Sequence, residues 1–372
     1  MTTSPSTGAG AAKPNPHLPV DQPWLDSTTE PILRPELPII DAHHHLWDRA
    51  YYPYELDRLL ADFDSGHDVR ASVFVQCLSK YRPDAPEMLA PVGETEYVNR
   101  AADASLSIRG RDGRIRHANA GIVAWADLTR GARVEETLAT HAAAAPERLR
   151  GIRNITTWDA DTSINTSSYN PPPGALADPR FREGFARLGP LNLSFDAWLY
   201  HTQLDELNDL AAHFPDTRII IDHMGGPIGI GRYADRRDEV FAEWRAAIGR
   251  IARRPNVVMK LGGMAMPIFG LGLRDHPVPL GSEATARLWQ PYVEVCIDAF
   301  GPSRCMFESN FPVDKGAVSY PILWNAFKRL AAGYTDAEQA RLFAGTAADV
   351  YRLDDVDLTP TPTPPATGRP LP

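Results

Sequence analysis

Eight short runs of apolar, largely β-branched residues recur along the sequence, and a segment with helical periodicity follows each of them. Runs of this kind are typical of strands buried on both faces. Eight strands alternating with helices predict an α/β fold, a single (β/α)8 TIM barrel. The alternative is a doubly wound open sheet, but that fold usually has a glycine-rich loop after its first strand, where this sequence has histidines. The runs lie at residues 38–41, 71–76, 120–124, 151–155, 193–198, 218–221, 256–259 and 305–308.

Proline is concentrated at the two ends of the chain. Of 34 prolines in 372 residues, many lie before residue 40 or after residue 353. Proline lacks a backbone donor and cannot continue a helix or join the centre of a sheet, so both ends are predicted to be extended tails. The predicted organisation is an N-terminal extension at 1–37, the barrel at 38–353 and a disordered tail rich in proline and threonine at 354–372.

Charge and cysteine content narrow the classes of partner. The net charge is −9 and no basic stripe is present, so neither a nucleic acid nor a membrane surface is an expected partner. The three cysteines are widely spaced and favour a reducing compartment. No signal-peptide pattern or 18-residue apolar stretch is present, so a cytoplasmic location is predicted. A small-molecule substrate is expected, and the composition is compatible with a homo-oligomer.

Polar side chains are concentrated where the predicted strands end. Active sites of (β/α)8 barrels lie at the carboxyl ends of the strands, so these residues are the first candidates for chemistry. Histidines follow strands 1, 5 and 6. We therefore expect one convergent site at the barrel mouth, with contributions from His43, His45, Gln76, Arg153, His201, His223, Lys260 and Asn310.

Residues 41–45, Asp-Ala-His-His-His, are the sharpest local signal. Side chains alternate along a strand, so Asp41, His43 and His45 are predicted to share one face, with the two imidazoles about 7 Å apart. Neutral imidazoles together with a carboxylate suit Zn²⁺ or Mn²⁺, so the sequence favours a metal site formed by the pair with His201 and His223. The simpler interpretation is a polar strand end with ordinary exposed histidines. Six other histidines are expected to lie at the surface: His17, His67, His117, His141, His213 and His276.

Five motifs occur in order along residues 38–353: Asp-Ala-His-His-His-Leu-Trp at 41–47, Gly-Ile-Arg at 151–153, Asp-His-Met-Gly-Gly-Pro at 222–227, Lys-Leu-Gly-Gly at 260–263 and Ser-Asn-Phe-Pro at 309–312. Together they resemble the amidohydrolase superfamily, within it the amidohydrolase-2 branch of lactonases and decarboxylases. The resemblance implies a (β/α)8 barrel, a His-x-His pair at His43 and His45, and strand-5 and strand-6 histidines at His201 and His223. The strand-8 position of the family falls on Asn310.

The strand-8 motif departs from the family pattern. The family motif looks like Gly-Ser-Asp-Trp-Pro, whereas residues 308–312 are Glu-Ser-Asn-Phe-Pro. The amide of Asn310 thus occupies the position of the expected catalytic carboxylate, and an amide cannot act as a general base. Glu308 lies two residues earlier and is expected to face the barrel interior and supply the missing negative charge, with Asp314 as the fallback base. Two arrangements of Glu308 stay open. If Glu308 pairs with Lys260, a metal-free mechanism is favoured, which some lactonases of this branch use. If Glu308 faces the histidines, it is expected to be a metal ligand or a base.

The resemblance implies a hydrolase that opens a lactone or another cyclic ester of a carboxylated small molecule. Arg153 and Lys260 are predicted to bind the substrate, with Trp47 and Tyr54 as apolar walls. The simpler interpretations are an ion pair for Arg153 and loop packing for the two aromatic residues. Two alternative functions stay open: a non-oxidative decarboxylase or C–C lyase on the same barrel, and a catalytically silent ligand-binding barrel, which Asn310 favours.

Overall fold

The computed structural model describes residues 17–164 and 171–360, and within them eight parallel strands form one sheet in sequence order. The sheet closes between β1 and the residues after β8, where the amide of Asn310 donates to the carbonyl of His43 at 2.8 Å and the amide of His45 donates to that of Phe311 at 2.7 Å. The predicted (β/α)8 barrel is confirmed. The strands are β1 (Pro38–His44), β2 (Asp68–Val75), β3 (His117–Ala124), β4 (Leu149–Ile155), β5 (Ser194–Trp198), β6 (Ile219–Ile221), β7 (Val257–Leu261) and β8 (Cys305–Phe307).

Helices pack around the sheet, and the last of them closes the amino-terminal end of the barrel. Val350 and Tyr351 of that helix pack against the inner apolar layer of the strands, which includes Ile220, Val258 and Met306. The α-helices are α1 (Gln22–Asp26), α2 (Leu56–Phe63), α3 (Val92–Ser105), α4 (Val134–Ala144), α5 (Pro179–Phe185), α6 (Leu204–His213), α7 (Arg237–Ile251), α8 (Ser282–Phe300), α9 (Tyr320–Leu330), α10 (Asp336–Ala340) and α11 (Thr346–Tyr351).

Strand β1 is irregular where its histidines begin. Its pairing with β2 shifts register between Asp41 and His44. Ile40 and Ala42 belong to the inner layer, and the shift brings His43 to the same side. Asp41 instead accepts hydrogen bonds from the Ser309 amide at 2.8 Å and from the Tyr320 hydroxyl of α9 at 3.1 Å. The prediction that Asp41 shares the face of His43 is therefore wrong, because strict alternation does not hold across a bulge.

The described part of the C-terminal tail, residues 354–360, forms no helix or strand. It is held to the barrel by Arg70, whose guanidinium donates to the carbonyl oxygens of Asp357 and Thr359, both at 2.7 Å. The remainder of the predicted tail, 361–372, lies outside the described residues. Among the described helices, none combines the length and apolarity required to cross a membrane.

Helix α10 begins with a reciprocal cap. The Thr335 hydroxyl accepts from the Glu338 amide, and the Glu338 carboxylate accepts from the Thr335 amide at 2.9 Å. Thr335→Ala should therefore lower the free energy of unfolding by about 1 kcal/mol, measured by urea denaturation. Glu338→Gln, whose amide oxygen still accepts, should cost less. Equal stability of wild type and Thr335→Ala would show that the cap contributes nothing.

Candidate active site

A buried lysine at the end of β7 forms the floor of the barrel mouth. The Lys260 ammonium lies 2.7 Å from an oxygen of Asp196 on β5 and 3.3 Å from an oxygen of Asp222 after β6. The Tyr351 hydroxyl donates to the same Asp196 oxygen at 2.7 Å. Burial alone would lower the pKa of Lys260, but Asp196 and Asp222 raise it above its ordinary value. The ammonium therefore stays charged and anchors both carboxylates.

Glu308 bridges two histidines rather than pairing with Lys260. Its carboxylate oxygens lie 2.8 Å from Nδ1 of His43 and 2.6 Å from Nδ1 of His223. Burial would raise the pKa of Glu308, but His223 and His43 hold it below its usual value. A Cβ at Gly263 would lie 2.5 Å from Nδ1 of His223, so this glycine leaves room for the ring.

The Glu308 contacts define which ring nitrogens are available. An ionised carboxylate only accepts, so Nδ1 of His223, which bonds to Glu308 at 2.6 Å, carries the hydrogen and its Nε2 keeps a lone pair. Nδ1 of His43 lies 2.8 Å from the other Glu308 oxygen and 3.3 Å from Lys260 Nζ, an ammonium that only donates. Burial, followed by the charge of Lys260, lowers the pKa of His43, which keeps the ring neutral. Its Nε2 atom is buried and has no partner among the described residues.

The residues present fit a divalent cation. His43, Asp222 and His223 each offer a ligand atom within 4.8 Å of the other two, and imidazole with carboxylate is a donor set that zinc accepts. Two cations, Lys260 and Arg153, face three carboxylates, those of Asp196, Asp222 and Glu308, which leaves one net negative charge in a buried cluster. One protonated imidazole would neutralise that charge, and a divalent cation would change it to one net positive charge.

His45 lies beside this group and is oriented by the backbone. Its Nδ1 donates to the carbonyl of Val75 at 2.8 Å, which leaves Nε2 as an acceptor. Burial lowers its pKa well below the ordinary value, and His43 lowers it further. The Trp47 ring stacks on His45 with centroids 5.9 Å apart. The structure thus brings His43 and His45 together at the mouth.

His201 is at the mouth but does not belong to the group of three possible ligands. Its Nδ1 accepts from the Ile228 amide at 3.4 Å, and its ring meets Tyr233 edge-on at 5.5 Å. Burial lowers its pKa to about 4, so the ring is neutral. The hydrogen therefore lies on Nε2, which is buried and has no partner among the described residues. In this tautomer His201 is a donor for a ligand rather than a metal-binding residue.

Arg153 is bound to a site carboxylate. Its Nε donates to Asp222 at 2.9 Å and a terminal nitrogen donates to the carbonyl of Gln76 at 3.2 Å. The side-chain amide of Gln76 is buried with neither its oxygen nor its nitrogen paired among the described residues. Arg153 therefore orients Asp222, and the Gln76 amide is free to meet a ligand.

Asn310 and Asp314, the two strand-8 candidates, bond to each other. The side-chain amide of Asn310 donates to one oxygen of Asp314 at 2.8 Å, and the other Asp314 oxygen accepts from the backbone amide of Ala265 at 3.1 Å. Burial raises the pKa of Asp314 well above its ordinary value. These contacts place Asp314 with Asn310 rather than among the histidines that contact Glu308.

The side chains of the two predicted aromatic wall residues have different surroundings in the structure. Tyr54 is buried and its hydroxyl donates to Asp62 at 2.6 Å, a carboxylate that also pairs with Lys315. Only Trp47 lies against a site histidine. Tyr54 thus matches the loop-packing interpretation.

Asp196 and Asp222 are candidates that the sequence reasoning did not select. Asp222 was visible inside the motif that carries His223, and Asp196 interrupts an apolar strand. A charged residue within a buried strand requires a partner, so the acid in one run and Lys260 in another were signals of an ion pair.

Comparison with known proteins places the chain in a family. Residues 40–353 match the amidohydrolase family. Protein y4mH of Sinorhizobium fredii is 32% identical over 341 residues, which cover 86% of this chain and 99% of that protein. An L-fucono-1,5-lactonase of Burkholderia multivorans is 29% identical, with 85% of this chain and 96% of the relative covered.

The fold comparison agrees. A crystal structure of an amidohydrolase from Burkholderia multivorans with bound zinc superposes with a TM-score of 0.63 at 26% identity, covering 84% of this chain and 99% of that one. The match spans the barrel that carries the histidine and carboxylate cluster. The chain therefore belongs to the amidohydrolase family and is a hydrolase of that family.

Proposed function

We propose that the protein hydrolyses a lactone of a small sugar acid. The observation that carries the proposal is the buried bridge of Glu308 between His43 and His223 at the barrel mouth. It contacts two imidazoles, and the hydrogen on Nδ1 of His223 leaves the Nε2 lone pair of that ring available for chemistry. The similarity to the L-fucono-1,5-lactonase of Burkholderia multivorans supports a ring ester as the substrate.

Unpaired polar groups at the mouth suit the hydroxyls of a sugar ring. Nε2–H of His201 and the amide of Gln76 are buried without partners among the described residues. A buried donor or acceptor without a partner is costly, and ring hydroxyls both donate and accept. A lactone carries its carboxyl group inside the ring, so it needs no arginine clamp. This agrees with the hydrogen bond that Arg153 donates to Asp222, which occupies its guanidinium.

His223 and Glu308 form the general-base pair of the proposal. Water attacks the lactone carbonyl carbon, and Nε2 of His223 accepts its proton. Glu308, 2.6 Å from Nδ1, stabilises the imidazolium that forms. The same proton then passes to the ring oxygen as the ring C–O bond breaks, which gives the open hydroxy acid.

His43, Asp222 and His223 are the residues that would hold a divalent cation, with His45 beside them. Such a cation, Zn²⁺ or Mn²⁺, supplies polarisation of the lactone carbonyl when bound. Nε2 of His223 serves as a ligand or as a base, one at a time. Activity after metal removal therefore reports which role it has.

The proposal is tested with a panel of 1,4- and 1,5-lactones of six-carbon sugar acids, followed by acid release with a pH indicator. Protein treated with a chelator is compared with the same protein reloaded with Zn²⁺ or Mn²⁺. We expect at least one lactone to reach a kcat/KM of about 10⁴ M⁻¹s⁻¹. No acid release from any lactone in any metal state would overturn the proposal, and proton uptake with aromatic carboxylic acids would favour decarboxylation.

A further inference from the structure

The N-terminal extension lies outside the family match, which begins at residue 40, yet its described part, residues 17–37, is anchored on the loop that follows β7. Asp21 pairs with Arg274 at 3.1 Å. The Trp24 ring lies 3.9 Å from the same guanidinium, and its indole nitrogen donates to the carbonyl of His276 at 3.2 Å. These contacts fix the extension at the carboxyl face of the barrel.

The segment before this anchor is pressed against the residues after β8. A Cβ at Gly316 would lie 2.5 Å from Cβ of Leu18 and 2.8 Å from its carbonyl oxygen. Only a glycine permits this approach. Gly316 follows Asp314 by two residues, so the extension passes beside the strand-8 end of the site.

His17, the residue before Leu18, is linked to the site histidines by a stack of aromatic rings. His17 lies parallel to Trp47, with centroids 5.6 Å apart and planes at 10°. Trp47 lies parallel to His45, with centroids 5.9 Å apart and planes at 14°. Burial, followed by the charge of Arg49, lowers the pKa of His17 to about 4, so its ring is neutral at pH 7. His17, expected at the surface, is half-buried in this stack.

We propose that residues 17–37 of the N-terminal extension are a fixed wall of the active-site mouth, and that His17 is a positioning residue that holds Trp47 flat against His45 and thereby restricts the site to small ring substrates. The proposal rests on lactone hydrolysis as the proposed function. The candidate residues below this wall are almost completely buried, with His45 and His201 each 4% exposed. A displaced Trp47 ring would widen the entrance on the side of β1.

The test compares full-length His17→Ala with wild type on one small sugar lactone and one lactone bearing a bulky aryl substituent. Loss of one aromatic contact should raise KM for the small lactone about three- to ten-fold, with kcat within about two-fold. The preference for the small lactone should fall by a similar factor. His17→Phe, which keeps a planar ring, should restore both values. His213→Ala, at an exposed histidine at the end of α6, is the matched control and should behave as wild type.

Other results would contradict the proposal about the wall or the proposed function. Unchanged KM and unchanged preference in His17→Ala overturn the proposal, and so does a loss of kcat that follows the melting temperature. If the wild-type protein hydrolyses no lactone, the proposed function fails, and the proposed wall is then tested separately by hydrogen exchange. The Trp47 and Tyr54 amides, which bond to each other's carbonyls at 2.9 and 2.7 Å, should then exchange faster in His17→Ala. Unchanged protection overturns the wall.

Discussion

Glu308→Gln should lower kcat/KM for lactone hydrolysis by about 100-fold while the fold stays intact. In the wild-type site, Nδ1–H of His223 donates to one oxygen of this carboxylate at 2.6 Å, and Nδ1 of His43 lies 2.8 Å from the other oxygen. A glutamine is neutral, so it no longer stabilises an imidazolium at His223. If its NH₂ group faces Nδ1–H, that ring must turn or change tautomer, which withdraws its Nε2 lone pair from the site.

Two measurements separate this effect from unfolding. Steady-state kinetics is paired with circular dichroism, and zinc affinity is measured by competition with a chromophoric chelator, where we expect a loss of about 10- to 100-fold. Glu239→Gln on α7, at an exposed ion pair with Arg236, is the matched control. Wild-type turnover and wild-type zinc affinity in Glu308→Gln would remove Glu308 from the machinery.

The companion variant Asn310→Asp restores the aspartate of the family motif. The Asn310 amide donates to Asp314 at 2.8 Å, so an aspartate here would place two buried carboxyl groups within hydrogen-bond distance. Like charges this close share a proton, and burial already raises the pKa of Asp314. We therefore expect no gain in turnover. A gain would mean that the site is a weakened form of its family's and that Glu308 is no substitute.

The barrel and the position of its mouth could be predicted because both follow from local patterns. Strands buried on two faces must be continuously apolar, which makes eight runs visible in sequence. Polar residues at the ends of those runs then mark the carboxyl face. His43, His223 and Glu308 were placed at this face by that reasoning, and their side chains do meet there.

The pairing of charges inside the barrel could not be derived in the same way. Sequence reasoning left open whether Glu308 pairs with Lys260 or faces the histidines, and it did not select Asp196 and Asp222, which Lys260 contacts. Which side chains meet across a barrel depends on strand tilt and on bulges such as the one after Asp41, and periodicity records neither.

Buried histidines away from the mouth show the same limit. His67 and His141 were expected at the surface but are 3% and 0% exposed. Nδ1 of His141 bonds to the Thr95 hydroxyl at 2.8 Å, and its Nε2 bonds to the carbonyl of Trp125 at 3.0 Å. An imidazole with both nitrogens paired is readily buried, and its distant partners cannot be read from its neighbours in sequence.

Lys260→Met should lower the free energy of unfolding by about 3–5 kcal/mol, measured by urea denaturation at pH 7 after chelator treatment. Methionine keeps the length of the side chain but removes the cation that Asp196 and Asp222 contact at 2.7 and 3.3 Å. All three side chains are fully buried, so water cannot replace the lost ammonium. Lys80→Met is the matched control: Lys80 pairs with Asp48 at 2.7 Å on a partly exposed surface, where the loss should stay below about 1 kcal/mol.

The pH dependence of this deficit identifies its cause. Lys260, followed by His43 and Arg153, holds the pKa of Asp222 well below its usual range despite burial. Burial already raises the pKa of Asp196 although Lys260 opposes it. Without the ammonium, the folded-state pKa of Asp196 should rise further and that of Asp222 should rise above its value in the unfolded chain. A folded state that binds more protons than the unfolded state gains stability as pH falls. The deficit of Lys260→Met relative to wild type should therefore shrink between pH 7 and pH 5. A deficit that is constant with pH would mean that the methionine disturbs packing rather than charge.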